Sequence, residues 1–289
     1  MNTKRGLNNI IYGILSQAVT LGLGLIIPRL VLVNLGSEAN GLLHSISTVF
    51  TYLTLLEAGV GKATSQALYK PLSEDNRNKI NSIMSATNRF YRKTGYIYSA
   101  AIIIFAVVYC LFVKTSLSKA VVFSVIVLTG ASSVLSYFVQ GKYTVFMGAE
   151  GRGYVLTNFS TVTTVLASVG KIALLVYGFG VVEIQGMYLF FSVLQMLFVV
   201  YYIRRNYEWL SVKAKPDYEA ISQKNYVLLH QITGMIFDNT DILLLTVMSG
   251  LKTVSVYSMY TTFYTVIKSI LNTVSYSYSY ALGRIFHSD

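Results

Sequence analysis

The chain has 289 residues, of which 54% are hydrophobic and only 12% charged, and its mean hydropathy is +0.55. A soluble domain carries roughly 25% charged residues, so this composition excludes one and defines an integral membrane protein. The net charge of +11 does not imply a nucleic-acid partner, because the basic residues cluster in short polar stretches between apolar spans.

Asn2 to Asn9 is a polar start with Lys4 and Arg5. Ile10 to Val33 follows, with Arg29 as its one charge. At ~1.5 Å per helical residue it can cross a hydrocarbon core ~30 Å thick. It is too long for a removable signal peptide and lacks a small-x-small cleavage site. Pro28 deprives the carbonyl of Gly24 of its helical partner, and Gly22 and Gly24 flank the weak point, so a bend is expected there. Arg29 either serves a polar interior, as in transporters, or snorkels to headgroups about one turn away.

Asn34 to Asn40 reads as a turn and Gly41 to Val60 as the second span. Lys62 to Lys93 holds seven basic residues. Within it Ser73 is a candidate cap, with Glu74 and Asp75 suited to a first turn. Ile80, Ile83, Met84 and Phe90 share a face, which predicts an amphipathic helix on the bilayer surface over about 62–94. Further spans are expected at Tyr96 to Val113, Ala120 to about Met147, Tyr154 to Tyr177 and Val181 to Ile203. After a polar segment with Pro216 and Asp217 in a turn or helix start, the seventh is Tyr226 to Met248 and the eighth Val254 to Leu282. The fold class is therefore all-α: a polytopic membrane helical bundle of about eight transmembrane helices. With the N-terminus inside, 17 of the 23 basic residues fall on the cytoplasmic side and four outside. The positive-inside rule thus predicts a multi-pass protein with a cytoplasmic N-terminus.

No enzyme signature survives inspection. GVGKAT, Gly59 to Thr64, lacks the first glycine of a phosphate-binding loop, since position 56 is Leu. His44, His230 and His287 lack metal-ligand spacing, and the single cysteine, Cys110, lies in an apolar run. Neither cofactor nor metal is expected. The sequon at Asn158 falls within a span.

Intramembrane charges carry the functional signal. Lys268 has about 14 span residues on either side, ~21 Å, beyond the reach of its side chain. It should face a polar interior. Asp238 and Asp241 lie at i and i+3 on one helical face. They are expected to be protonated, paired with a cation or engaged with a coupling ion. One reading simply pairs them with Lys268 or Lys171. The other places all of them in a water-filled cavity. The 23 tyrosines include a cluster in the eighth span, where Tyr257, Tyr264 and Asn272 suit sugar contact. For any single tyrosine, interfacial anchoring or helix packing is the competing reading. A faint internal echo aligns Gly36 with Gly250, each ending a span and preceding another, as in transporters built from repeats.

Four stretches carry a resemblance in their order and spacing: IIPRLVLVNLGSEANGLLHSIS at Ile26 to Ser47, the run from Leu55 to Tyr91, GAEGRGYVLTN at Gly148 to Asn158, and DNTDILLLTVMSGLKTVSVYSMY at Asp238 to Tyr260. With them the chain resembles a polysaccharide flippase of the multidrug/oligosaccharidyl-lipid/polysaccharide exporter superfamily. The resemblance implies two six-helix lobes around a central cavity and export of undecaprenyl-diphosphate-linked oligosaccharide across the cytoplasmic membrane. It implies a first six-helix lobe over 1–218 and the start of a second lobe over 219–289. Family members have 12 to 14 spans, so an eight-span chain is expected to lack most of its second lobe and stand-alone activity. On this reading Arg29, Lys171, Lys268, Tyr257, Tyr264 and Asn272 contact substrate, and Asp238 and Asp241 couple an H+ or Na+ ion. Partners would be the lipid-linked oligosaccharide, membrane lipids and other polysaccharide-assembly membrane proteins. The alternatives are a cation-coupled multidrug exporter of the same superfamily and a membrane-embedded sugar polymerase or ligase. The basic loop and internal cations favour an anionic substrate over a cationic drug, and the short outer loops disfavour the polymerase.

Overall fold

The computed structural model describes residues 3–53, 59–222, 240–265 and 267–268. Asp238, Asn272, most of the seventh predicted span and the second half of the eighth lie outside the described residues. Among the described residues the fold is all-α, as the hydropathy pattern requires.

Helix α1 runs Thr3–Leu53 and loses helical dihedrals at Gly36, where φ is 85° and ψ 173°. Only glycine takes such a conformation cheaply. The turn expected over Asn34 to Asn40 is thus condensed into one residue, and the helix continues through Pro28. The two arms, 3–35 and 37–53, reverse direction: Val31 packs with Leu175 and Ile184 and Glu38 accepts from Thr115, whereas Phe50 lies back beside Tyr98 and Phe105. Helix α2, Val60–Ser73, follows Gly59, another left-handed glycine with φ 90°. Helix α3 is Arg77–Phe112. Its cap is Asn76, whose side chain accepts from the Lys79 N–H at 3.1 Å. Ser73 is not the cap; it ends α2 and donates to the Lys70 carbonyl. Helix α4, Lys119–Val139, is capped by Ser118. The fourth predicted span breaks at Gln140 into α4 and a short α5, Gly141–Ala149. Helices α6, Gly153–Val176, and α7, Val181–Asn206, match the fifth and sixth predicted spans closely. Arg204 and Arg205 in the last turn of α7 suit the helix dipole. Two further helices, α8 over 240–248 and α9 over 251–265, meet at Gly250, φ 81°.

Five described helices are long and apolar enough to cross a membrane: Ile11–Leu53, Arg77–Phe112, Lys119–Val139, Gly153–Val176 and Val181–Asn206. The break at Gly36 divides the first between two passes. The largest core joins the second arm of α1 to α3 and α4 through Leu42, Ile46, Tyr98, Ile102, Val125 and Ile126. The first arm packs chiefly on α6, and α7 packs on both α4 and α6.

The amphipathic stretch is corrected in one respect. Its apolar face does not lie on the bilayer. Ile80, Ile83 and Met84 are buried against Leu68 of α2, Phe146 and Met147 of α5, Ile203 in the last turn of α7 and Tyr207 just past it. A strap, residues 207–222, closes over them. Asn81 donates to the Trp209 carbonyl at 3.2 Å and accepts from the Ser211 N–H at 2.9 Å. Arg77 covers the Trp209 ring at 5.1 Å, and Lys79 donates to Asp217 at 2.5 Å. The Lys79 ammonium and the Ala220 N–H hold the Asp217 carboxyl below its ordinary value of 3.8. Helical periodicity marks a face to be buried; it does not say whether lipid or protein covers it. Lys142 lies in α5 at this same end. It is buried, donates to the Phe138 carbonyl at 3.1 Å and thereby covers the C-terminal end of α4.

Candidate functional site

A cleft of ≈ 410 Å³ opens between the first arm of α1, α6 and α7. From α1 it takes Thr20, Leu23, Gly24, Ile27 and Pro28, so the proline that weakens the helix also lines the cavity. From α6 it takes Ser160, Thr164, Ser168 and Lys171, spaced four, four and three residues apart, hence on one face. From α7 it takes Tyr188, Ser192 and Gln195, again one face.

The lining is held in place by hydrogen bonds between and within the helices. Thr163 donates to Gln195 Oε1 at 3.1 Å, tying α6 to α7. Thr161 donates to Ser16 at 2.7 Å, tying α6 to α1. Ser192 donates back to the Tyr188 carbonyl at 2.8 Å. A hydroxyl that donates within its own helix keeps oxygen lone pairs available. Gly170 lets Met187 approach to 3.1 Å of where a Cβ would stand, which brings α6 and α7 together beside Lys171.

Lys171 is half-buried, and its ammonium lies 4.9 Å from the centroid of the Tyr188 ring. A desolvated cation over an aromatic face gains about 0.5–2 kcal/mol. No carboxylate among the described residues pairs with it, and none lines the cleft. The site is therefore a single cation among hydroxyls and the Gln195 amide, flanked by Leu23, Ile27, Ala167 and Phe191, a composition that accepts an anion or a hydroxylated ring. Its volume falls in the range of about 300–1,000 Å³ typical of small-molecule pockets.

The other predicted residues do not converge on this cleft. Arg29 follows Pro28 directly but is exposed and does not line it. Asp241 sits on α8, where the Tyr257 hydroxyl of α9 donates to its carboxylate at 2.6 Å. Lys268 lies 6.0 Å from the ring of Tyr264, one turn before it. The structure thus joins Asp241 to Tyr257 and Lys268 to Tyr264, and places Lys171 in a separate cleft between α1, α6 and α7. The hydroxyls of α6 and α7 went unremarked in the sequence. Their signal is legible in retrospect, because Ser160, Thr164, Ser168 and Lys171 recur with helical period in an otherwise apolar segment.

Fold and hydropathy together define a polytopic membrane helical bundle. The chain belongs to the polysaccharide biosynthesis protein family (Polysacc_synt), which matches residues 7–278. No curated protein matches it significantly. Among solved structures it is similar to a multidrug resistance MATE family transporter of the MOP superfamily in an inward-facing conformation, with 18% identity and a TM-score of 0.64 over 84% of this chain. The chain spans 56% of the length of that transporter. The superfamily fold expected from the four quoted stretches is borne out.

Proposed function

We propose that the chain serves the translocation of lipid-linked oligosaccharide across the cytoplasmic membrane, with the polar cleft taking part of the substrate headgroup. One observation carries the reading: Lys171 is the one charge in a cleft lined by hydroxyls, the Gln195 amide and apolar side chains, with no acidic residue in its lining. That electrostatic environment favours a diphosphate and opposes a cationic drug. The cleft is too small for a whole polyprenyl-diphosphate oligosaccharide, so it holds one group, a phosphate or a sugar ring.

The remaining assignments follow this reading. Residues 1–218 form the first lobe and 219–289 begin the second, with the α2–α5 end cytoplasmic. The Asp241–Tyr257 pair, with Asp238, is the candidate coupling site for H+ or Na+. Lys268 and Tyr264, with Arg29 and Asn272, contribute to substrate contact elsewhere along the path.

Binding of a polyprenyl-diphosphate-linked sugar to the purified chain in lipid nanodiscs tests the proposal. Lys171→Ala should weaken binding by roughly tenfold or more, the scale of a lost charge-assisted contact. Lys171→Arg should keep part of it, because a point charge suffices for phosphate. Binding that is unaffected by Lys171→Ala, or tighter binding of a cationic drug than of the diphosphate, would overturn it in favour of the drug-exporter reading.

A further inference from the structure

The outward face of α3 changes character along its length. Ile103, Ile104, Val107 and Leu111 are exposed, and their spacing puts them on one side of the helix. Followed toward the N-terminus in steps of three and four residues, the same side runs through Ala100 and Tyr96 to Lys93, Arg92 and Arg89, all exposed. A hydrocarbon core ~30 Å thick takes about twenty helical residues. Counted back from Phe112, where α3 ends, that length reaches Lys93. The apolar stripe therefore meets acyl chains, Tyr96 stands at their edge, where amphipathic rings gather, and the cations stand among headgroups.

Helices α4 and α5 complete a corner at this depth. The Tyr96 ring meets Phe138 of α4 edge-on, with centroids 5.0 Å apart. Gly95 makes the room, since a Cβ there would stand 2.9 Å from the Phe138 ring. The Phe138 carbonyl in turn accepts from the Lys142 ammonium at 3.1 Å. Lys142 is only 7% exposed, and Arg92, one turn before Tyr96, is near enough to repel it. Arg92, Tyr96, Phe138 and Lys142 thus form a closed circuit of neighbours. Among the described residues no carboxylate pairs with Arg89, Arg92, Lys93 or Lys142. Like charges gathered without an acid repel, and a phosphate beside them offsets the repulsion with charge-assisted hydrogen bonds.

We propose that this corner of α3, α4 and α5 binds one anionic phospholipid. Arg92 and Lys93 hold its phosphate, Arg89 reaches the rest of the headgroup, and Lys142 adds positive charge from behind. The acyl chains lie along Tyr96, Ile104 and Val107. Two observations select a phospholipid over a soluble anion. The cations stand at headgroup depth, and an apolar stripe continues directly beneath them, which a free phosphate would not use. Helix α3 contributes nothing to the polar cleft, so the inference is independent of what that cleft carries.

The test titrates the purified 289-residue chain in neutral detergent with phosphatidylglycerol carrying a fluorophore on one acyl chain. Saturable binding is expected, with phosphatidylcholine of the same chains a weak competitor. Arg92→Gln/Lys93→Gln should weaken binding by roughly twentyfold, the scale of two basic residues at an anionic lipid surface. Both side chains are exposed, so the change disturbs no packing. Lys213→Gln/Lys215→Gln removes the same charge from the strap, at the same end of the molecule, and should change binding less than about twofold if position rather than total charge decides. Equal losses in the two double variants would show a general attraction of the basic end and overturn the proposal. Phosphatidylcholine competing as well as unlabelled phosphatidylglycerol would overturn it too. Displacement of the lipid by inorganic phosphate would make the corner a soluble-anion site, and tighter binding of a polyprenyl phosphate would make it a substrate site; either outcome overturns the assignment to a phospholipid.

Discussion

The two arms of α1 are both apolar, and they meet opposite fates. In the first, Leu15, Leu25 and Ile26 stay exposed, at 57%, 40% and 51%. In the second, Leu42 and Ile46 are at 0% and 1%, and Asn40 and Ser45 are equally buried. In water, apolarity would bury both arms. In a bilayer, lipid is as good a solvent for leucine as protein is, so apolar surface exerts little demand for a partner. Polar groups exert that demand, because hydrocarbon leaves them unsatisfied. The second arm carries Asn40, Ser45 and Thr48 in sequence, and it is the arm that is enclosed. In the first arm the polar residue Thr20 and the softened stretch at Gly24 and Pro28 turn to the cleft.

The sharpest way to break this contrast is to shorten an apolar side chain in each arm. Ile46→Ala should cost about 2–5 kcal/mol, because the cavity opens in a packed core. Leu25→Ala should cost well under about 1 kcal/mol, because lipid fills the space. Unfolding of both variants in one detergent checks the pair, and equal costs would remove the distinction. Glycines sharpen it next. Nothing lies within 4 Å of a Cβ on either Gly36 or Gly22, so alanine acts on the backbone alone. Gly36→Ala should cost about 1–3 kcal/mol, because φ 85° with ψ 173° is open essentially only to glycine. Gly22→Ala should gain up to about 1 kcal/mol from helix propensity. Melting temperatures shifting in opposite directions would confirm that the chain reverses at Gly36 and runs straight at Gly22.

The smallest effect belongs to the strap, outside both arms. Asp217→Asn should cost under about 1 kcal/mol at neutral pH, as a half-exposed ion pair does. The Asp217 carboxyl is held below its ordinary 3.8, so the native state binds its proton more weakly than the unfolded state. Its contribution is present above pH 3.8 and is lost as pH falls through the lowered value. Parent and variant should therefore differ in stability at pH 7 and converge well below pH 3.8. A difference that persists in acid would show that Asp217 acts through its backbone hydrogen bonds rather than its charge.

Spans five and six were legible to within a few residues, because length and hydropathy alone define a helix that must satisfy its own backbone in lipid. The stretch from Lys62 to Lys93 was legible as amphipathic, but its division between α2 and α3 and its cover were not, since α5 and the strap come from distant parts of the chain. Lys171 was singled out as an intramembrane charge. Its surroundings on α7, from Tyr188 to Gln195, were not.

What the linear order of residues decided is the all-α membrane class, the places where α3, α4, α6 and α7 cross, the concentration of basic residues at one end, and the family. These depend on composition and local period, which each segment carries within itself. Tertiary structure alone decided which polar groups meet. Asp241 found Tyr257, Ser45 found Thr246 two hundred residues away, and Arg29, Lys171 and Lys268 each took separate surroundings. Nothing local distinguishes those partners, because a helix specifies the face that must be satisfied and leaves it to packing to determine which neighbour satisfies it.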